Sequence, residues 1–347
     1  MTIASQLLKF LDNISDSFSH KIMIQRLKNE YDVANLFNIS LNELDRLLIE
    51  LEYEEFFIPK KKGGHRKITS PNQRLKLVQQ RLNYFLNIGY ESLKTEVVFG
   101  FSKKSKSDIV SSPIVANASK HIQKKFILSL DIKDFFESIT SKQIVDLFTG
   151  PYFKLPINVA LILTRLTTYK GFLPTGAPTS PLLSNYIFNE IDNKLKLFSN
   201  QLEITYTRYA DDITLSSDNI ISIDIVEEIQ KIVEPFKINH KKTRLIKSHR
   251  QQKVTGIVVN QKVNIDRKWL KRTRAMLHDL TLNGLSKAAE KHFNNPGKEH
   301  NFIHKLEGNI SFIGQVRGQK DTLYLQYRKQ FLTYFERKKD TKCDSPF

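Results

Sequence analysis

Residues 207–217, TRYADDITLSS, set two adjacent aspartates between two apolar, β-prone runs. Alternation puts Ile204, Tyr206 and Arg208 on one face and Thr205, Thr207 and Tyr209 on the other. The segment therefore predicts a hairpin with Asp211 and Asp212 at its tip. Taken alone, Ala-Asp-Asp is also ordinary turn chemistry, since Asp tolerates tight turns and bonds its own backbone. Adjacent carboxylates repel, however, and a buried pair requires a cation. The rest of the chain decides between these readings.

The charge balance points to a polyanion as partner. Lys and Arg number 54 against 36 Asp and Glu, a net charge of +18. The excess is clustered: KINHKKTRLIKSHRQQK (237–253) has seven basic residues and no acid, KKKGGHRK lies at 60–67, and 265–347 hold 17 basic against 9 acidic residues. No lipidation motif or apolar-faced basic helix accompanies this charge, so nucleic acid is expected and a membrane is not. No apolar run reaches the roughly 18 residues of a membrane span. The start of the chain lacks the basic n-region and cleavage site of a signal peptide, and Cys343 is the only cysteine. A reducing, cytoplasmic setting is the expectation.

Periodicity supplies a coarse layout. Residues 1–55 read as helical, with Ser40 and Glu43 as a capping box ahead of a Leu44, Leu47, Leu48, Leu51 stripe. FFIPKKKGGHRKITSPN (56–72) reads as strand, Gly-Gly turn and strand, followed by a helix at 73–88. KFILSLDIKDFF (125–136) is a short apolar strand ending on acids. A Pro/Gly loop runs into a helix within 171–195, a second amphipathic helix covers 220–236, and 253–266 reads as a hairpin. From 267 onward the pattern is helical and basic with interspersed aromatics.

Asp131, at the end of one strand, joins Asp211 and Asp212 as a set of hard oxygen ligands suited to Mg²⁺ or Mn²⁺. Two such ions can activate an attacking hydroxyl and hold the leaving oxygen of an in-line displacement. With basic residues to hold phosphates, the pattern points to phosphoryl transfer on nucleic acid. His292, His300 and His304 have spacings that invite a zinc reading, but without a cysteine or an acid pattern nearby they read as a polar helical face.

Seven ordered elements resemble the reverse transcriptases, specifically the bacterial retron type. YADD (209–212), LDIKDFF upstream (130–136) and LPTGAPTSPLLSN between them (173–185) resemble the catalytic motifs. IPKKKGGHRKITSPN resembles the fingers hairpin, and INHKKTRLI the basic segment after the active-site hairpin. NASKH (117–121) and VTG (254–256) resemble two elements of retron enzymes.

The resemblance implies an α+β right-hand polymerase with an antiparallel palm sheet, fingers and a helical thumb. Its implied layout is an N-terminal helical segment (1–55), fingers (56–125, with 137–175 interleaved), palm (126–136 and 176–264) and basic thumb (265–347). Asp131, Asp211 and Asp212 are then the ligands of two Mg²⁺ ions, with Mn²⁺ as a substitute and the Ile132 carbonyl as a further ligand. Lys61 and Arg66 hold the incoming dNTP, and Phe136 is the steric gate against a ribose 2′-OH, with Phe135 in the core. Thr175 and Gly176 lie beneath the nucleotide, although the retroviral pattern has Gln where Thr175 stands. Ala210 is small enough to admit the primer end. Lys241 or Lys242 either protonates the leaving pyrophosphate or binds backbone. Val254, Thr255 and Gly256 grip the primer, while Asn117 and His121 contact RNA or else serve as a helix cap and a structural histidine. Tyr324 and Tyr327 suit stacking on RNA bases.

As function, the resemblance implies an RNA-directed DNA polymerase acting on a cognate structured non-coding RNA. Synthesis primed from an internal guanosine 2′-OH then gives branched multicopy single-stranded DNA. The chain is expected to stop after the thumb, leaving template removal to a host RNase H and anti-phage action to a separately encoded effector. Group II intron or diversity-generating reverse transcriptases are the neighbouring alternatives. An inactive RNA-binding scaffold is a third, disfavoured by the intact acid triad.

Overall fold

The computed structural model describes residues 23–60, 63–101, 112–293 and 299–343, so Lys61 lies outside the described residues. Helices α1 (Glu30–Phe37) and α2 (Leu41–Ile49) open the described chain, and the Glu43 amide donates to Ser40 Oγ at 3.2 Å as the cap spacing requires. Strand β1 (Tyr53–Pro59) pairs antiparallel with β2 (His65–Pro71), Ile58 opposite Arg66. The helical reading of 1–55 thus runs too far. Tyr53, Phe56 and Phe57 are β-prone and find a register against Lys67–Pro71.

Next come α3 (Gln73–Tyr90), capped by Asn72, and α4 (Pro113–Ser119). Strand β3 (Phe126–Asp131) leads to α5 (Ser141–Thr149), α6 (Ile157–Thr167) and α7 (Ser180–Gln201). The acid hairpin is β4 (Thr205–Tyr209) and β5 (Asp212–Ser217), followed by α8 (Ile223–Val233) and β6 (Arg244–Lys247). These strands form a sheet of order β4-β5-β3-β6. The tiny hairpin β7 (Lys253–Val254) and β8 (Ile257–Val258) precedes α9 (Arg267–Phe293), broken at Gly284, then α10 (Glu299–Arg317) and α11 (Thr322–Cys343).

The chain divides into two units, each assembled from separate stretches. The first takes the described parts of 1–103 with 129–214 and 221–243; the second takes those of 104–128, 215–220 and 244–347. This differs from the expected boundaries at three places, 112–128, 215–220 and 244–264. Residues 112–128 and 244–264 join the C-terminal helices because their apolar side chains share one core: Val115, Ala118, Ile127, Val254 and Val259 bury with Leu280, Phe302 and Ile313. Tyr324 and Tyr327 belong to that core too. A Cβ on Gly314 would stand 2.7 Å from the Tyr324 ring, so the glycine lets α10 lie against it. Two tyrosines enclosed this way serve packing, which corrects the expectation that they stack on RNA bases.

Candidate active site

The first unit brings the acids to one end of the sheet. Ala210 turns the β4–β5 hairpin with φ 58°, and Asp211 and Asp212 follow it. The Ile132 amide donates to the Asp211 carbonyl at 3.0 Å, which fixes the end of β3 beside that turn. Asp131, Asp211, Lys242, Arg66, Phe136 and Thr175 line one open cavity of 520 Å³.

The neighbouring carboxylates repel one another. Burial, with repulsion from Asp131, raises the carboxyl of Asp211. At the exposed end of the hairpin, desolvation by surrounding protein and repulsion from Asp211 and Asp131 push Asp212 up to about 6. Lys242 Nζ donates to both oxygens of Asp131, at 2.7 and 2.8 Å, and the Asn239 amide donates to the Asp131 carbonyl at 2.7 Å. An ammonium group already stands where a cation is called for, and the donors are hard carboxylate oxygens. The residues therefore fit a divalent ion such as Mg²⁺. They are not a finished cage: among the described residues no three His, Cys, Asp or Glu side chains converge on one point. Asp131 is paired with Lys242 in this arrangement. The zinc reading has no site among the described residues either. His292 meets Asp279 at 2.8 Å, and His300 meets His304 at 2.8 Å.

Around the acids, the expected nucleotide-binding side chains of Arg66, Phe136, Thr175 and Lys242 all line the cavity. Arg66 is exposed and close enough to oppose the rise at Asp211. Phe136 is partly exposed and lies 5.9 Å from Phe101, ring centre to ring centre, while Phe135 is core against Phe188. Thr175 ties backbone together, because its Oγ1 accepts from the Thr69 amide at 3.1 Å and donates to the Lys67 carbonyl at 3.2 Å. The Gly176 amide adds a bond to the Thr69 carbonyl at 2.9 Å. Thr175 and Gly176 thus staple the loop before α7 to β2.

A Cβ at Gly176 would stand 2.8 Å from Thr69 O and 2.9 Å from Ile68 Cγ2. Gly176→Ala is accordingly expected to destabilise the protein by about 1–3 kcal/mol through overpacking and to raise KM for dNTP more than it lowers kcat. Denaturant unfolding and steady-state kinetics check this. Unchanged values of both would show that the close approach is dispensable.

The remaining candidates lie elsewhere. Ala210 is itself the turn residue and is buried. Ile132 is buried and bridges to Ile238. Val254, Thr255 and Gly256 belong to the second unit. Val254 is core, and Thr255 (φ 48°) and Gly256 (φ 87°) make the two-residue β7–β8 turn. Asn117 lies inside α4, so it is no N-cap, and it is 1% exposed. His121 is fully buried, its Nδ1 2.7 Å from Ser216 Oγ, and burial, with Lys120 and Lys124 nearby, lowers it to about 3. An enclosed imidazole bonded to Ser216 fits the structural alternative for His121. Sequence reasoning missed Phe101, Asn239 and the fully buried Asp192–Arg208 pair. Only the last left a signal: an arginine alternating onto the apolar face of a strand needs an acid.

The family described as reverse transcriptase (RNA-dependent DNA polymerase) matches residues 58–259. The chain is 31% identical over 264 residues to the retron Ec86 reverse transcriptase of Escherichia coli, spanning 73% of this chain and 78% of that one. Identity to the retron Ec73 reverse transcriptase of Escherichia coli is 32% over 278 residues, 75% of this chain and 81% of that one. To the retron Mx65 reverse transcriptase of Myxococcus xanthus it is 30% over 276 residues, 72% of this chain and 62% of that one.

Proposed function

The chain belongs to the reverse transcriptase (RNA-dependent DNA polymerase) family and is of the bacterial retron type, and we propose from this a two-metal polymerase that makes branched DNA on its own non-coding RNA. RNA-directed DNA polymerisation is the activity of the family. The observation carrying the proposed chemistry is the single cavity shared by Asp131, Asp211, Arg66, Phe136 and Lys242.

Asp131, Asp211 and Asp212 would hold the ions, which when bound supply the Lewis acidity and hydroxyl activation for in-line transfer of the α-phosphoryl group. Arg66 pairs with the triphosphate of the dNTP, its planar fork suited to phosphate oxygens. Lys242 exchanges Asp131 for phosphate and carries a proton to the pyrophosphate leaving group. Phe136 closes the space beside C2′. A primer enters this chemistry only through a hydroxyl in line with the α-phosphate, so an internal guanosine 2′-OH presented by folded RNA serves as well as a 3′-OH.

Partners follow from that reading: the cognate RNA and its DNA copy, a host RNase H, and a separately encoded effector through which the system acts against phage. Expressed with the non-coding RNA beside its gene, the protein should yield one discrete single-stranded DNA joined at its 5′ end to RNA by a 2′–5′ link. The product should shorten with RNase and release free DNA only after debranching enzyme. A product primed from a 3′-OH or from a protein tyrosine would overturn the retron chemistry and leave the polymerase intact.

A further inference from the structure

We propose that the buried Asp192–Arg208 pair is a positioning device for the catalytic turn, setting where Asp211 and Asp212 stand. Both side chains are enclosed, 0% exposed. Arg208 Nε donates to Asp192 Oδ1 at 2.8 Å and Nη2 to Oδ2 at 2.7 Å, a bidentate pairing that needs a guanidinium. Tyr206 OH donates to the same Oδ1 at 2.7 Å. One arm of the arginine leaves the pair: Nη1 donates to the Ala210 carbonyl at 3.0 Å. That carbonyl belongs to the peptide joining Ala210 to Asp211.

Ala210 needs holding. Its φ of 58° lies in the left-handed region, where a residue with a Cβ is strained. Gly100 is pressed against the same turn: a Cβ there would collide with Ala210 N and stand 3.0 Å from the Tyr209 carbonyl carbon. Asn185 ties the two supports together, accepting from Arg208 Nη2 at 3.1 Å and donating to Gly100 O at 2.9 Å. The Arg208 main chain is fixed as well, its amide donating to Val97 O at 2.8 Å and its carbonyl accepting from the Phe99 amide at 2.9 Å. A buried ion pair is a poor source of stability, since well-packed apolar residues of the same volume often do better. Apolar residues cannot grip a carbonyl. The feature that distinguishes this pair from a packing substitute is its bond to the turn.

The inference rests on reading Asp211 and Asp212 as the catalytic acids, and the test separates the two. The full chain with its RNA is compared as parent, Tyr206→Phe, Arg208→Lys, the double variant Arg208→Met with Asp192→Leu, and Asp211→Asn. Melting temperature, RNA affinity, kcat, the Mg²⁺ concentration for half-maximal rate, and amide hydrogen exchange over 209–212 are measured. Tyr206→Phe removes a bond from Asp192 without touching Ala210, so it should lower the melting temperature and leave kcat within about twofold. Arg208→Lys and the double variant should lose about 10–100-fold in kcat, as a displacement near 1 Å produces. They should also need more Mg²⁺ and exchange faster at 209–212, with RNA affinity unchanged. A folded double variant with parental kcat and parental exchange would overturn the proposal; if it does not fold, Arg208→Lys decides by the same comparison. Activity in Asp211→Asn would instead remove the acids from the chemistry, leaving the clamp to be judged on exchange alone.

Discussion

Asp211→Asn should leave a folded, RNA-bound protein that makes no measurable DNA. Replacing one carboxylate by an amide removes a charged oxygen ligand from the set that would hold the ions. A loss of about 4 kcal/mol of transition-state stabilisation is roughly a thousandfold in rate. The structure adds a sign that a destabilised mutant would not show. Burial and a neighbouring carboxylate raise Asp211, so its charge opposes folding at neutral pH, and the neutral amide relieves that cost. The variant should therefore melt at or above the parental temperature while primer extension collapses. Extension near parental levels, or a collapse matched by a lower melting temperature, would assign Asp211 to the fold.

Phe136→Val should let ribonucleotides into the product, shifting the dNTP-to-rNTP preference by about a hundredfold. The ring stands partly exposed in the acid-lined cavity with Phe101 against it, while Phe135, one residue earlier, is enclosed. Discrimination by clash works through repulsion of the wrong sugar, so shortening the side chain removes selectivity without removing a contact to the right one. The dNTP rate should change little. Parallel single-nucleotide incorporation with dCTP and CTP measures the ratio, and an unchanged ratio in a folded variant would place Phe136 with Phe135 in the packing.

What could be read without coordinates follows from how local the determinants are. The acid hairpin, the Gly-Gly turn and the Ser40 cap depend on residues within a few positions of each other, and all three appear where alternation and turn chemistry put them. Arg66, Phe136, Thr175 and Lys242 were legible because each sits at a set offset inside an ordered motif. Contacts that join distant stretches were not. Nothing in LPTGAP announces that Thr175 bonds the backbone of Thr69, and nothing in KINHKK announces that Lys242 sits on Asp131. Burial misled in the same way: Asn117, His121, Tyr324 and Tyr327 are polar or amphipathic residues in basic surroundings, and only the packing of α4 and of the C-terminal helices shows them enclosed.

The shared core of the second unit has a consequence in time rather than in space. Val115, Ala118 and Ile127 are made early, but residues such as Phe302, Ile313 and Phe331 that cover them come near the end of the chain. At the usual speed of synthesis, the interval between Ala118 and Phe331 is roughly 10–40 s. Once residue 243 is made, the ribosome carries a first unit able to close over its own core, together with an apolar helix whose C-terminal partners are not yet translated. The nascent enzyme should thus be a client of trigger-type holding chaperones at this one segment, and its yield should fall more steeply with slowed translation after residue 128 than with slowed translation before residue 112.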